Sequence, residues 1–165
     1  HSGTSQIRHR GCVLWDNSGS VANDFLGPVQ VRALYPSGAG NYAQWTPNSG
    51  NNYGAVQEVI ANGDVNYNAS STVNQIDSFA TQDAPAGSGT IFGIQHVIYA
   101  KQDGGAARTM TNLTRISSTD YVGTTVSLAA SYQMLCEAVS VSPATGVAYT
   151  ISEFNGAEFG YKLIS

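Results

Sequence analysis

The sequence predicts an all-β protein, a jelly-roll-like β-sandwich of about eight strands with little helix. Short runs rich in β-branched and aromatic residues recur along the 165-residue chain, and clusters of Gly, Pro, Asn, Asp and Ser separate them. A helix competes only over residues 55–61, where Asn62-Gly63-Asp64 ends the segment after barely two turns. A single domain of this length buries a core without disulfides or metal ions.

In the first half of the chain, Val29–Tyr35 alternates apolar with polar residues, which predicts a strand that Pro36 closes. Residues 36–54 are rich in Pro, Gly, Asn and Ser and predict a long loop. Residues 65–68 are predicted to be extended. A loop of this length in a compact domain is usually functional or is fixed by its own side chains.

The segment Thr90–Ala138 is predicted to hold the centre of the fold. Thr90–Ala100 places apolar side chains in both phases, as a strand covered on both faces does, and it predicts the central strand. Arg108–Ile116 alternates polar with apolar residues and predicts a hairpin with that strand, one face of which is wet. Runs over residues 124–129 and 132–141 repeat the pattern. The predicted core residues are Ile91, Ile94, Val97, Tyr99, Leu128, Leu135 and Val139.

At the end of the chain, residues 147–154 predict a single helical turn or a short strand. Phe159–Ile164 then alternates aromatic and apolar residues with Gly and Lys, which predicts a final strand in the sheet.

Charge excludes some functions. Charged residues make up 11% of the chain, against about 25% in an average domain. The net charge is −4, and the seven Lys and Arg residues form no cluster that would bind phosphates. We expect no nucleic-acid partner. No run of about 18 apolar residues is present, and the first residues lack a signal-peptide pattern, so we also expect no membrane partner.

The cysteines and histidines show no metal-ligand spacing. Cys12 and Cys136 are too far apart for a zinc site, and Cys136 is predicted to be a small buried hydrophobic residue. A disulfide between the two, or between subunits, is the alternative. His96 is predicted to be hydrogen-bonded or exposed, not a ligand. We expect no metal and no cofactor.

Four aromatic residues are candidate contacts for a partner protein or a glycan: Trp15, Tyr42, Trp45 and Tyr53. The last three belong to the predicted loop. As exposed platforms they would stack on sugar rings or dock a partner, and as buried plugs they would fix the loop. The plug is the favoured interpretation.

Catalytic motifs are not found. The eleven Asp and Glu residues show no spacing typical of an acid and base pair, and Gly-x-Ser-x-Gly, the Walker loop and His-Glu-x-x-His are absent. Asp64 and Asp103 lie in turn sequences that do not continue into a calcium loop. We expect no enzyme activity.

Several turn and strand-end motifs between Asn23 and Ser165 carry a family resemblance. They are Asn23-Asp24-Phe25-Leu26-Gly27, Val29-Gln30-Val31, Gln44-Trp45-Thr46, Asn62-Gly63-Asp64-Val65-Asn66-Tyr67, Ile94-Gln95, Ala100-Lys101-Gln102-Asp103, Ser131-Tyr132, Ser142-Pro143-Ala144-Thr145-Gly146 and Phe159-Gly160-Tyr161-Lys162. The chain resembles a family of small virion proteins of tailed bacteriophages and prophages. That resemblance implies a structural, minor head or tail-associated protein, with a β-sandwich fold and no enzyme activity.

Residues 1–22 fall outside the resemblance and are predicted to be an N-terminal arm or edge strand that attaches the protein to its particle, although residues 1–3 are equally a candidate cloning remnant. Residues 23–165 are predicted to form one β-sandwich domain. We expect a homo-oligomeric structural protein of the virion, in a head decoration, a head fibre or the tail, that contacts other virion proteins. The alternative is a carbohydrate-binding module, which on a virion would bind host glycans.

Overall fold

The computed structural model of the chain describes residues 29–87 and 89–165. The predicted arm at residues 1–22, with Trp15 and Cys12, lies outside the described residues, as does the boundary predicted at residue 23. Residues 34–165 form one compact unit. Its elements are β1 (Pro36–Ala43), β2 (Thr46–Pro47), β3 (Asn68–Ala69), β4 (Ile76–Thr81), β5 (Ile94–Ala100), β6 (Thr109–Ile116), β7 (Thr119–Ser127), β8 (Gln133–Val139), α1 (Ile151–Gly156) and β9 (Glu158–Leu163).

The all-β prediction is confirmed, because the described residues contain nine strands and a single six-residue helix. A five-stranded antiparallel sheet has the order β1-β4-β9-β6-β7, and a two-stranded sheet of β5 and β8 packs on it to give a sandwich-like fold. β2 and β3 form a further short pair. The prediction of a strand over Val29–Tyr35 is wrong. Hydrogen-bonded pairing with β4 starts only at Pro36, and most of the residues before it are exposed.

The final strand β9 is the centre of the larger sheet. It pairs with β4 on one side and with β6 on the other. Its residues Phe159, Gly160 and Tyr161 are all buried. A final strand was predicted here and is confirmed, but its central position is not visible in its short alternating sequence.

The predicted central strand is wrong. β5 pairs only with β8 among the described strands, with Val97 opposite Cys136, and it forms no hairpin with β6. Its apolar side chains point in both directions because one face packs on the core while the other is exposed, where Val97 is 47% and Tyr99 is 44% accessible. Conversely, β6 is buried on both faces from Met110 to Leu113, so the wet face predicted for this strand is wrong there.

The core of the described residues consists of two clusters. The first is built on the buried residues Phe79, Ile98, Met110, Leu135 and Tyr161. The second is built on Ile116, Tyr149, Phe154, Ala157 and Phe159.

Of the predicted core residues, only Leu135 is buried, while Ile91, Ile94 and Leu128 are half-buried against the clusters. The prediction is wrong for Val97, Tyr99 and Val139, which are exposed because they lie on, or at the end of, a sheet of only two strands.

A β-bulge interrupts the pairing of β1 with β4. Between the pairs Ala39–Phe79 and Ala43–Asp77, β1 has three residues where β4 has one. The extra residues, Gly40 to Tyr42, fold over the face of the sheet. A Cβ atom on Gly40 would lie 2.6 Å from the backbone oxygen of Ser78, so this close approach needs glycine.

The short helix α1 follows the turn after β8. Thr150 caps its first turn, because the threonine hydroxyl accepts a hydrogen bond of 3.0 Å from the backbone N–H of Glu153. Phe154 on this helix is buried in the second core cluster. The helical alternative predicted for residues 147–154 is therefore the one that forms.

Candidate interaction surface

The loop predicted over residues 36–54 is wrong for its first part, where β1 forms, and residues 46–47 form β2. A fully buried carboxylate holds the remaining loop on the sheet. Asp77 is 0% exposed and accepts hydrogen bonds from the backbone N–H groups of Gln44 (2.7 Å) and Trp45 (2.9 Å). The side-chain amides of Asn52 (2.7 Å) and Asn68 (3.2 Å) donate to its other oxygen. A buried charge with this many donors is stable only while all of them stay in place. Asp77 therefore fixes the loop.

Two of the predicted contact residues are used inside the protein. Trp45 meets Tyr161 edge to face, with ring centroids 4.7 Å apart, and its indole N–H donates to the backbone oxygen of Gln75 (3.2 Å). Tyr53 is half-buried against the first core cluster. Both rings therefore pin the loop instead of standing free on it.

Tyr42 is the third predicted contact residue in the described chain, and its polar end is also occupied. Its hydroxyl donates to Asp120 (2.8 Å), which raises the pKa of Tyr42, and the guanidinium of Arg115 lies 5.1 Å from the ring centre. Arg115 also forms an ion pair of 2.5 Å with Asp120. The bulge thus carries Tyr42 across the sheet and ties β1 to β7.

Next to this cluster, Glu158 on β9 accepts hydrogen bonds from the bulge. The backbone N–H of Asn41 donates to it at 2.8 Å, the Asn41 side-chain amide donates to its other oxygen, and the Ser78 hydroxyl donates at 2.6 Å. We name this group of side chains the polar belt; its members are Asn41, Tyr42, Ser78, Arg115, Asp120 and Glu158. Both carboxylates already have partners within the protein, Glu158 in Asn41 and Asp120 in Arg115. These contacts connect the five strands of the larger sheet.

The outer face of the two-stranded sheet of β5 and β8 is the opposite case, because apolar groups lie in the solvent. β6 and β7 separate these two strands in sequence, and their antiparallel pair is called the β5–β8 hairpin below. Val97 and Tyr99 are nearly half exposed, Met134 is 65% exposed, and Cys136 is an exposed free thiol. The ring of Tyr99 stacks on that of Tyr132, with centroids 4.7 Å apart and planes within 8°. The prediction that Cys136 is buried is wrong, since its side chain points away from the core and that of its neighbour Leu135 points into it.

A polar contact fastens a neighbouring loop to one end of this hairpin. Lys101 and Asp64 form an ion pair of 2.8 Å, and the Tyr132 hydroxyl donates to the same Asp64 oxygen at 2.8 Å. These contacts lower the pKa of Asp64, chiefly through Lys101, and Asp64 in turn raises the pKa of Lys101. The ammonium of Lys101 lies 4.8 Å from the centre of the Tyr132 ring.

The fastened loop is itself apolar at its surface: Val59 is 73%, Ile60 82% and Val65 66% exposed. We name the exposed apolar groups of the hairpin and of this loop the hairpin patch. Its members are Val59, Ile60, Val65, Val97, Tyr99, Tyr132, Met134 and Cys136. Lys101 and Asp64 form an ion pair at the patch. Two further carboxylates lie beside it: Glu58, which accepts a hydrogen bond from Asn66, and Asp103, whose charge contributes to the raised pKa of Lys101.

Side chains of β8 cap the outer edge of β7. Glu137 accepts a hydrogen bond of 3.0 Å from the backbone N–H of Thr124, and the Gln133 amide donates to the backbone oxygen of Ser127 at 2.8 Å. Backbone groups at a sheet edge otherwise pair with other chains. These side chains therefore occupy two backbone groups of the β7 edge.

His96, on the inner face of β5, is neither hydrogen-bonded through Nδ1 nor fully exposed, so the prediction for this residue is wrong. Its Nδ1 atom is buried without a partner in the described structure, and its ring meets Phe159 edge to face at 5.9 Å. Burial lowers the pKa of His96 to about 4. The neutral imidazole serves as a packing group between the two sheets.

Within residues 29–87 and 89–165, no group of three or more His, Cys, Asp or Glu side chains is arranged to hold a metal ion. No helix in the same ranges is long and apolar enough to cross a membrane. Comparison of the chain with protein-family models, with curated proteins and with solved structures gave no significant match. The resemblance to small phage virion proteins therefore stays a prediction.

Sequence reasoning missed the hairpin patch. The available signal was the run of apolar residues in both phases over residues 94–100, which was interpreted as burial on both faces. An exposed apolar face gives the same pattern, because the sequence does not say whether the second layer comes from the same chain.

Proposed function

We propose that the protein is a non-enzymatic structural subunit of a bacteriophage particle, held by contacts with neighbouring protein subunits. The observation that carries the proposal is the hairpin patch. Monomeric proteins rarely expose contiguous apolar surfaces of more than a few hundred Å², and a larger one marks an interaction site. A structural role also agrees with the carboxylates of Asp77, Glu158 and Asp120, because each accepts hydrogen bonds from other residues of the same chain.

The virion assignment rests on the sequence resemblance, and the low content of charged side chains is in keeping with it. A surface of hydroxyl and amide groups favours close packing of subunits without charge repulsion.

The proposal is tested on purified particles. Mass spectrometry and immunogold electron microscopy with an antibody against residues 34–165 should find several copies of the chain on each particle, at one defined location. A chain that is abundant in the lysate but absent from particles after density-gradient purification would contradict the proposal.

A carbohydrate-binding module is the second candidate, and one observation favours it. The ring of Tyr99 stacks on the ring of Tyr132 and remains partly exposed to solvent. Asp64 and Lys101 lie close to this pair and can form hydrogen bonds. Such a platform suits the apolar face of a neutral sugar ring. Retardation in native gels containing dextran or mannan would reveal this activity, and Tyr99→Ala should abolish it while Tyr99→Phe retains it.

A further inference from the structure

The proposed function leaves the occupant of the hairpin patch open. We propose that it is a second copy of this chain, related by a two-fold axis that runs parallel to β5 and β8. This inference rests on the proposed structural role and names its partner. It follows from the extent of the patch, its charge and the strand register.

The extent of the patch favours a protein over a sugar. A single sugar ring covers one aromatic side chain, whereas exposed apolar groups extend here from Val97 through Met134 and into the loop at Ile60 and Val65. The Asp64–Lys101 contact holds these two segments together. A seven-residue hairpin is about 23 Å long, so this face alone is smaller than the roughly 800 Å² per partner of a standard interface. A weak, concentration-dependent contact is expected.

The charges of the patch complement a copy of itself. The outer face of the hairpin carries no charged side chain from residue 95 to residue 99 or from 134 to 136. Lys101 and Asp64, one cation and one anion, lie together at one end. A strongly acidic or basic partner is therefore not selected. A two-fold contact that brings these ends together places each Lys101 near the other copy's Asp64.

The register of the hairpin then selects the direction of the axis. Tyr99 is opposite Met134, and Val97 is opposite Cys136. A two-fold axis parallel to the strands places β5 over the partner's β8 at the same height. Tyr99 then faces the second copy's Met134, a favourable contact of aromatic ring and thioether. An axis perpendicular to the strands would instead set Lys101 against the uncharged end near Gln95.

The first experiment measures self-association. Sedimentation velocity across a concentration series should show a reversible dimer for the full chain. Val97→Glu should raise the dimer dissociation constant at least about tenfold, because it buries an unpaired charge in the contact. The matched control is Val122→Glu on β7, a valine of similar exposure outside the patch, which should leave the dissociation constant within about twofold.

The second experiment tests the axis. Two chains are prepared, both with Cys12→Ser and Cys136→Ser; one carries Met134→Cys and the other Gln95→Cys, at opposite ends of the exposed face. In the mixture, a short bis-maleimide that spans the roughly 10 Å between packed sheets should link two Met134→Cys chains in preference to mixed pairs. A perpendicular axis would reverse this preference.

The outcomes separate the inference from the proposed function. A dimer that survives Val97→Glu, or in which mixed pairs are linked in preference to pairs of Met134→Cys chains, would overturn the inference even when the chain is found on particles. A strict monomer at all concentrations would overturn it as well, and glycan retardation of that monomer would assign the patch to a sugar. Absence from particles contradicts the proposed function alone, since the dimer is measured with the isolated protein.

Discussion

The interior around Asp77 and the outer face of the β5–β8 hairpin differ in which kind of group each contains: the first buries a polar group, and the second exposes apolar groups. Inside, a carboxylate is 0% exposed, yet several donors surround it. Outside, Met134 is 65% exposed with no apolar cover in the described chain. A buried polar group is tolerated when its partners belong to the same chain. By the same reasoning, an exposed apolar face indicates partners that belong to another chain.

The largest expected effect concerns the interior. Asp77→Ala removes the buried acceptor shared by donors of Gln44, Trp45 and Asn52, and we expect it to lower the free energy of unfolding by about 4 kcal/mol. Urea unfolding measures this change. Asp103→Ala makes the same chemical change in an exposed loop and should cost less than about 0.5 kcal/mol. Equal effects would show that the network around Asp77 contributes little.

A second change tests the close packing at the centre of the sheet. A Cβ atom on Gly160 would lie 1.9 Å from the backbone oxygen of Asp77, so Gly160→Ala should destabilise the protein by about 3 kcal/mol. Gly156 has no atom within 4 Å of such a Cβ, and Gly156→Ala is the matched control. Thermal unfolding of the two variants at one pH decides the matter. A Gly160→Ala variant as stable as its control would refute this packing.

His96, which packs between the larger sheet and the β5–β8 hairpin, should make the stability of the protein depend on pH. The pKa of His96 is about 4 in the folded chain, below its ordinary value of 6.5, so the unfolded chain binds the proton more readily. Stability from this group is complete above pH 6.5 and falls as the pH drops towards 4, by about 3 kcal/mol in all.

His96→Leu keeps an apolar group in this position and removes the titration. Relative to the wild type, the variant should lose about 3 kcal/mol less between pH 7 and pH 4 in urea unfolding. Parallel pH profiles of the two proteins would show that His96 titrates normally.

The smallest effect on stability is expected from the N-terminus. Among the described residues, both core clusters are built from residues 34–165, and we expect deletion of residues 1–22 to change the free energy of unfolding by less than about 1 kcal/mol. The deletion should nevertheless weaken attachment to the particle, which co-sedimentation with purified particles measures. An unfolded truncated chain, seen by circular dichroism, would place this segment in the core and refute the attachment.

The comparison also explains which features the sequence could predict. The strand pattern of β9 was sufficient to predict a strand, because alternation is a local property. The position of that strand in the sheet depends on pairing with β4 and β6, which are distant in sequence. In β5, the same apolar pattern arises from burial on one face and from exposure on the other, so it could not predict which strand is central.

The site residues show the same limit. Trp45 and Tyr53 could be recognised as aromatic groups of a loop, but only the acceptor Asp77 and the ring of Tyr161 decide that the loop is fixed inward. Tyr99 and Tyr132 are far apart along the chain and become a stacked pair only through the register of β5 with β8. Contacts of this kind depend on tertiary structure and leave no local signature.

Amide hydrogen exchange as a function of protein concentration tests the central claim most directly, that the hairpin face is an interface and the sheet interior is complete. Raising the concentration from below to above the dimer dissociation constant should slow exchange in β5, β8 and the loop around Ile60 and Val65. Exchange in β4 and β9 should stay unchanged. Slowing confined to other strands, or no change at any concentration, would contradict the account.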